Sequence, residues 1–246
     1  MLAKRIIPTI LVRGRIAVKG EQFESWRSIG HAAATARVHA MRGVDELMIL
    51  DIAATAEKRG PNLEMVRELT DSCFMPVTIG GGVRCLDDID KLLRAGADKV
   101  AICTAAFDNP GLIRQASNHF GRQAIVGVVE YRGALTTSRC GHEYHCGRPV
   151  EWARILASEG VGEILLNCVD RDGKMEGMDL DTIKHAVDVT DVPIIASGGA
   201  GTYAHMHAAF LAGADGVAAG AMFAFTEHTP RQAAIYLHEQ GCEVRT

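Results

Sequence analysis

The sequence predicts an α/β fold, a single (β/α)8 TIM barrel built of two half-barrel repeats, and three observations predict it. The first is an internal repeat at a fixed offset of 117 residues (43 to 160, 76 to 193, 95 to 212). Gly43-Val44-Asp45-Glu46 returns as Gly160-Val161-Gly162-Glu163, and Ala95-Gly96-Ala97-Asp98 returns as Ala212-Gly213-Ala214-Asp215. Pro76-Val77-Thr78-Ile79-Gly80-Gly81-Gly82 returns as Pro193-Ile194-Ile195-Ala196-Ser197-Gly198-Gly199. The period is about half of the 246 residues, far longer than the roughly 20–50 residues of a solenoid repeat. The second is alternation: short Val- and Ile-rich runs are followed by longer segments of helical period. The third is count. Eight such pairs fit the chain at about 31 residues each, the spacing of a closed barrel.

The elements follow in order. Strands are expected near 5–12, 46–52, 76–80, 98–103, 123–130, 163–169, 192–196 and 215–220. Helices are expected near 31–42, 61–73, 86–95, 109–119, 149–159, 179–189, 203–212 and 230–240. Near-continuous apolar strands belong to a parallel sheet covered by helices. An open doubly wound sheet is the alternative, but two equal halves close more naturally. No linker or low-complexity segment interrupts the chain, so one domain is expected over 1–246, with half-barrels of about 1–120 and 121–246.

Composition narrows the function. Hydrophobic residues make up 48%, charged residues 23%, and the formal net charge is -4. No basic stripe suggests nucleic acid, and no apolar run approaches the roughly 20 residues that span a bilayer. The opening is too short and too soon polar for a signal peptide. The 7 cysteines are odd in number and scattered, which predicts a reducing, cytoplasmic setting rather than a disulfide framework.

Barrel chemistry sits at the C-terminal ends of the strands. Glycines cluster there twice, at Gly80-Gly81-Gly82 with Thr104 and at Ser197-Gly198-Gly199 with Gly220 and Ala221. Glycine lets backbone N–H groups approach an anion closely. The duplication predicts two phosphate sites on opposite sides of the mouth, and hence one elongated ligand. Tight turns alone are the plainer reading of any single pair.

Seven segments carry a specific resemblance: Met1–Pro8, Val18-Lys19-Gly20, Leu50-Asp51, Thr78–Gly82, Leu93–Val100, Asp170-Arg171-Asp172-Gly173 and Ile195–Gly201. On these the chain resembles the cyclase subunit of imidazole glycerol phosphate synthase over its whole length, with a contraction in the 131–148 hairpin. The resemblance implies a glutaminase partner on the N-terminal face, ammonia passing through the barrel, and a ligand with two phosphates at the C-terminal face. It implies an ammonia gate of Arg5, Glu46, Lys99 and Glu163, and partner contacts at Asp98 and Gln123. Lys19, Glu130 and Asp172 stand at catalytic positions. Asp51, Gly81, Gly82, Cys103, Thr104, Asn167, Gly173, Gly198, Gly199, Gly220 and Ala221 stand at substrate and phosphate positions. No cofactor or metal is expected.

The reacting centre departs from the family's pattern. Two aspartates are implied at the ends of strands 1 and 5; this chain has Leu11 and Glu130. Leucine cannot move a proton, and a general acid or base is worth about 10²–10⁴-fold. Cys103, Asn167 and Ala221 replace an asparagine, a threonine and a serine of the family. These departures resemble paralogues of bacterial surface-polysaccharide clusters. There a barrel, its glutaminase and a separate ATP-using amidotransferase convert an N-acetyl sugar to an acetamidino sugar. The first expectation is therefore ammonia delivery for sugar amidation, with a phosphorylated or nucleotide-linked substrate. The alternatives are a true histidine-pathway cyclase and a catalytically silent scaffold that activates the glutaminase.

Four further features read as structural. Cys140-Gly141-His142-Glu143-Tyr144-His145-Cys146 has metal-ligand residue types, but neighbours on a strand point to opposite sides. His205 and His207 are expected on the surface. Cys103 and Cys168 are expected to face the mouth as packing residues. Phe23 and Trp26 fall in the stretch after strand 1, expected to be a long loop that acts as a lid or packs on itself.

Overall fold

The computed structural model describes residues 3–71 and 73–245. Met1 and Leu2 of the opening motif, Ser72 and Thr246 lie outside the described residues.

The chain begins with β1 (Arg5–Arg13), whose buried faces are both apolar, and turns into an antiparallel ribbon of β2 (Ile16–Glu21) and β3 (Glu24–His31). Then come α1 (Ala32–Met41), β4 (Leu47–Asp51), α2 (Leu63–Thr70), β5 (Val77–Gly80), α3 (Leu86–Arg94) and β6 (Lys99–Ile102). The short α4 (Thr104–Asp108) and α5 (Gly111–Phe120) lead to β7 (Ile125–Arg132), which pairs with a second ribbon, β8 (Leu135–Ser138) and β9 (Glu143–Tyr144). The rest is α6 (Pro149–Glu159), β10 (Glu163–Cys168), α7 (Leu180–Val189), β11 (Ile194–Ser197), α8 (Tyr203–Leu211), β12 (Gly216–Ala219), α9 (Ala221–Phe225) and α10 (Pro230–Glu239).

Eight parallel strands close in the order β1-β4-β5-β6-β7-β10-β11-β12, and β12 returns to β1 through Arg5 opposite Gly216. This is the (β/α)8 barrel that the repeat predicts. Two apolar cores explain why its strands are apolar on both faces. An inner one fills the barrel with Ile7, Met48, Ala101, Val126, Val128, Leu165, Ile195 and Ala218. An outer one packs the opposite strand faces against the helices. Helix starts are set locally: Asn62, Asp179, Thr202 and Thr229 each accept a backbone N–H of the first turn, satisfying donors that a helix leaves free. Gly160 ends α6 in the left-handed region, at φ 100°.

Three expectations change. The stretch after β1 is a regular ribbon, not a loop, because Leu11 pairs with Val18 and extends the barrel strand into a hairpin. Cys168 does not face the mouth: it is buried in the outer core, since Asn167 before it points inward and strand neighbours alternate. His205 and His207 are half-buried, and the ring of His205 accepts the Gly201 N–H at 3.3 Å.

Candidate active site and the charged ring

The mouth at the C-terminal ends of the strands holds a cavity of about 1100 Å³, part of it open to solvent. Glycine shapes two sides of it. Gly81 has φ 105° and Gly198 φ 93°. A Cβ on Gly81 would lie 2.2 Å from the Asp51 carbonyl oxygen, and one on Gly198 would lie 2.4 Å from that of Cys168. Only glycine fits either backbone. Gly82, Thr104, Gly199, Gly220 and Ala221 line the same cavity. The sequence repeat is thus a structural one, with equivalent glycine turns lining one cavity.

The ribbon covers a third side. Lys19, on β2, donates to both Asp172 oxygens at 2.7 and 2.8 Å, and both residues are buried. Beside this pair a Cβ on Gly173 would fall 2.3 Å from the Gly20 carbonyl oxygen. The tip is tied down further. The Gln22 N–H donates to the Asp172 carbonyl at 2.8 Å, and Arg132 donates to the Gln22 carbonyl at 2.7 Å. Gln22, Phe23 and Ser25 all take positive φ, an uncommon conformation for bulky residues. Phe23 and Trp26 stack with ring centroids 6.4 Å apart, and both line the cavity.

Three carboxylates line the mouth: Asp51, Glu130 and Asp172. Asp51 accepts the Ala53 and Ala54 N–H groups and pairs with Arg59 at 2.8 Å. Asp172 has Lys19. Glu130 differs: its Oε2 is shut off from solvent and has no hydrogen-bond partner. Burial pushes the Glu130 carboxyl up to about 7, and the negative charge of Asp172 adds to this, while the Gly141 amide and the Cys103 thiol oppose it. Cys103 lies against it, its thiol pushed well up by burial and by the Glu130 charge. Cys140 reaches the same cavity with its thiol pushed up to about 12 by burial, and it donates to the Ile52 carbonyl at 3.4 Å. Protonated thiols of this kind are poor nucleophiles. Leu11 is buried and lines the cavity with no polar group to offer. Asn167 points in from β10, with its Oδ1 buried and unpartnered.

At the opposite end of the barrel four side chains close a ring. Arg5 donates to Glu46 at 2.9 Å and to Glu163 at 2.7 Å. Lys99 donates to Glu46 at 2.9 Å and to the two Glu163 oxygens at 3.1 and 3.0 Å. Thr78 donates to the remaining oxygen of Glu46 at 2.7 Å. Each carboxylate bridges both cations, which is the pairing that buried charge requires. Asp98 and Gln123 are exposed near this end, and Asp98 accepts the Val77 N–H at 2.8 Å.

Sequence reasoning missed three residues of the mouth, Thr9, Cys140 and the Arg59 partner of Asp51, whereas Phe23 and Trp26, read as a lid or a self-packed loop, do line it. Strand parity could have found Thr9, two residues before Leu11 on one face. The Cys140–Cys146 stretch is dispersed. His145 stacks on Phe107 at 3.9 Å and shares a hydrogen bond with Ser138 at 2.8 Å, while Cys146 is exposed. Among the described residues, no group of three or more His, Cys, Asp or Glu side chains could hold a metal ion, and no helix is long and apolar enough to cross a membrane.

Residues 5–229 match the family described as "Histidine biosynthesis protein". Three curated relatives carry the name imidazole glycerol phosphate synthase subunit HisF. The protein of Salinispora arenicola is 43% identical over 253 residues, covering 99% of each chain. That of Streptomyces coelicolor is 42% identical over 249 residues, again with 99% of each chain. That of Dictyoglomus thermophilum is 38% identical over 252 residues, covering 100% of this chain and 99% of the relative.

Proposed function

The chain belongs to the histidine biosynthesis protein family, and from that premise we propose that it is the ammonia-receiving synthase subunit of a complex of the imidazole glycerol phosphate synthase type. The observation that carries this reading is the order of features along the barrel axis. An ion ring at the bottom is followed by an apolar interior of Ile7, Met48, Ala101, Val126 and Leu165 and then by a polar mouth. Neutral ammonia passes through such an interior at little cost, whereas an ammonium ion would have to shed its hydration. A glutaminase subunit on the N-terminal face supplies the ammonia, with Asp98 and Gln123 on that face.

In the mouth the two glycine nests hold the phosphates of an elongated acceptor. Lys19 and Asp172 neutralise each other and fix the ribbon over it. Glu130 alone among the three carboxylates lacks a cationic partner among the described residues, and its proton affinity near neutrality suits a group that both takes and gives a proton. It accepts a proton from the attacking nitrogen and returns it to the acceptor oxygen.

The names of the relatives favour the histidine-pathway cyclase over the sugar-amidation reading that the sequence put first. The order of those two readings is therefore exchanged. One observation still favours amidation: Leu11 lines the mouth where the resemblance implies an aspartate. The experiment is an ammonia-dependent cyclase assay on the purified chain, with the histidine-pathway phosphoribulosyl ribonucleotide and excess ammonium. Turnover on the order of 1–10 per second supports the cyclase. No turnover, with the ligand still bound, moves the acceptor to an N-acetyl sugar and its separate amidotransferase.

A further inference from the structure

Buried polar atoms in native proteins are nearly always paired, and an orphan costs about 1–3 kcal/mol. Setting aside Asp51 Oδ2, which lies 2.8 Å from the Arg59 guanidinium, three orphans line the mouth among the described residues: Thr9 Oγ1, Glu130 Oε2 and Asn167 Oδ1. Glu130 and Asn167 are direct register partners on the adjacent parallel strands β7 and β10. Their inward side chains therefore start about 4.8 Å apart. The inward residues two positions earlier on the same strands are Val128 and Leu165, part of the apolar barrel filling. A small molecule rising through the barrel meets Asn167 and Glu130 where the apolar lining ends.

We propose that Asn167 receives the incoming nitrogen: its Oδ1 and Glu130 Oε2 form a two-acceptor post that holds ammonia by its N–H groups. The identity of the nucleophile rests on the functional reading above; the geometry of the post does not. Two adjacent acceptors without donors call for a ligand rich in N–H. Ammonia has three such donors and one lone pair, so it fills both acceptors and keeps the lone pair for the acceptor carbon. Thr9, whose hydroxyl both donates and accepts, is free to orient the acceptor oxygen.

The step balances without any other reagent. The nitrogen lone pair forms the C–N bond to a carbonyl carbon as the C=O π pair moves to oxygen. The nitrogen then gives one proton to the Glu130 carboxylate, which passes it to the alkoxide to leave a carbinolamine. Asn167 exchanges no proton. It is a positioning residue, and its loss raises the ammonia requirement.

The test uses the full chain labelled with ¹³C at glutamate carboxyls, with the Glu130 signal assigned through Glu130→Gln. Above the Glu130 titration, ammonium chloride is expected to move that signal saturably. Tetramethylammonium chloride, which has the charge and no N–H, is expected not to. In Asn167→Leu the midpoint for ammonium should weaken about five- to tenfold, the worth of one hydrogen bond. Asn167→Thr, which restores an oxygen, should recover part of it, with the other glutamate signals unmoved. Equal responses to the two salts in the parent chain, or an unchanged midpoint in Asn167→Leu, overturns the proposal whether or not the variants fold well. Turnover is read separately. An intact ammonium response without turnover on either acceptor sinks the functional reading and leaves the post standing. A split of kinetic constants, with KM for ammonium raised more than KM for the acceptor in Asn167→Leu, supports both.

Discussion

The two ends of the barrel are made from the same repeated unit and treat charge in opposite ways. At the N-terminal end, Arg5, Glu46, Lys99 and Glu163 pair completely, and even the second oxygen of Glu46 has the Thr78 hydroxyl. At the C-terminal end, Lys19–Asp172 and Arg59–Asp51 are paired, while Glu130, Asn167 and Thr9 each keep a buried atom without a partner. The first end spends its polar groups on itself. The second leaves some unspent, which lowers stability and keeps them available to a ligand. Conserving stability at one face of a barrel and chemistry at the other is the general division of this fold.

The largest effect that would break this comparison is at the ring. Glu46→Ala leaves Arg5 and Lys99 sharing Glu163, so buried positive charge is left uncompensated. A loss of about 3–5 kcal/mol is expected in urea unfolding. A loss of a few tenths would mean that water already screens the ring.

Glu130→Gln tests the other end, and the sign is opposite. The Glu130 carboxyl titrates at about 7 in the fold against an ordinary value of 4.5. Between those values the native state holds a proton that the unfolded chain has released, so stability falls as pH rises from 4.5 to 7 and is level above. Glu130→Gln should match the parent in stability below 4.5 and exceed it by about 3–4 kcal/mol above 7, while turnover drops by about 10²–10⁴-fold. A stability difference that ignores pH would place the titration elsewhere.

The smallest effect sharpens the symmetry of the mouth. Gly81→Ala and Gly198→Ala put a Cβ against equivalent carbonyls in the two halves. Each should cost about 1–3 kcal/mol through strain at positive φ and weaken binding of a sugar bisphosphate to a similar degree. A large asymmetry in binding, measured by calorimetry, would mean that the ligand presents one phosphate rather than two.

Much of the fold was legible because the signals are local. Val- and Ile-rich runs such as Ile125–Val129 read directly as buried strands, and the paired glycines marked turns that no other residue can make. Four elements were not legible. The helices α4 and α9 have 5 residues each, too few to display a period. The ribbon of β2 and β3 lacks a clean alternation, since the residues of β3 are mostly exposed and its register with β2 shifts. In the site, Cys168 was misplaced although parity from Asn167 gives its direction. Arg59, Cys140 and Trp26 could not be joined to Asp51 and Glu130 by spacing, because Arg59 and Cys140 reach the mouth from separate loops and Trp26 from the ribbon strand β3.

The sequence by itself determined the twofold repeat, the eight strands and helices, the glycine turns and the residue types at each strand end. Only the tertiary structure decided which charges are neutralised. Lys19 finds Asp172 across 153 positions of chain, Arg59 finds Asp51 across 8, and Glu130 finds no cation among the described residues. The physical reason is that the state of a carboxylate depends on the dielectric and the charges within a few ångströms of it. Barrel closure, not the order of residues along the chain, sets those neighbours.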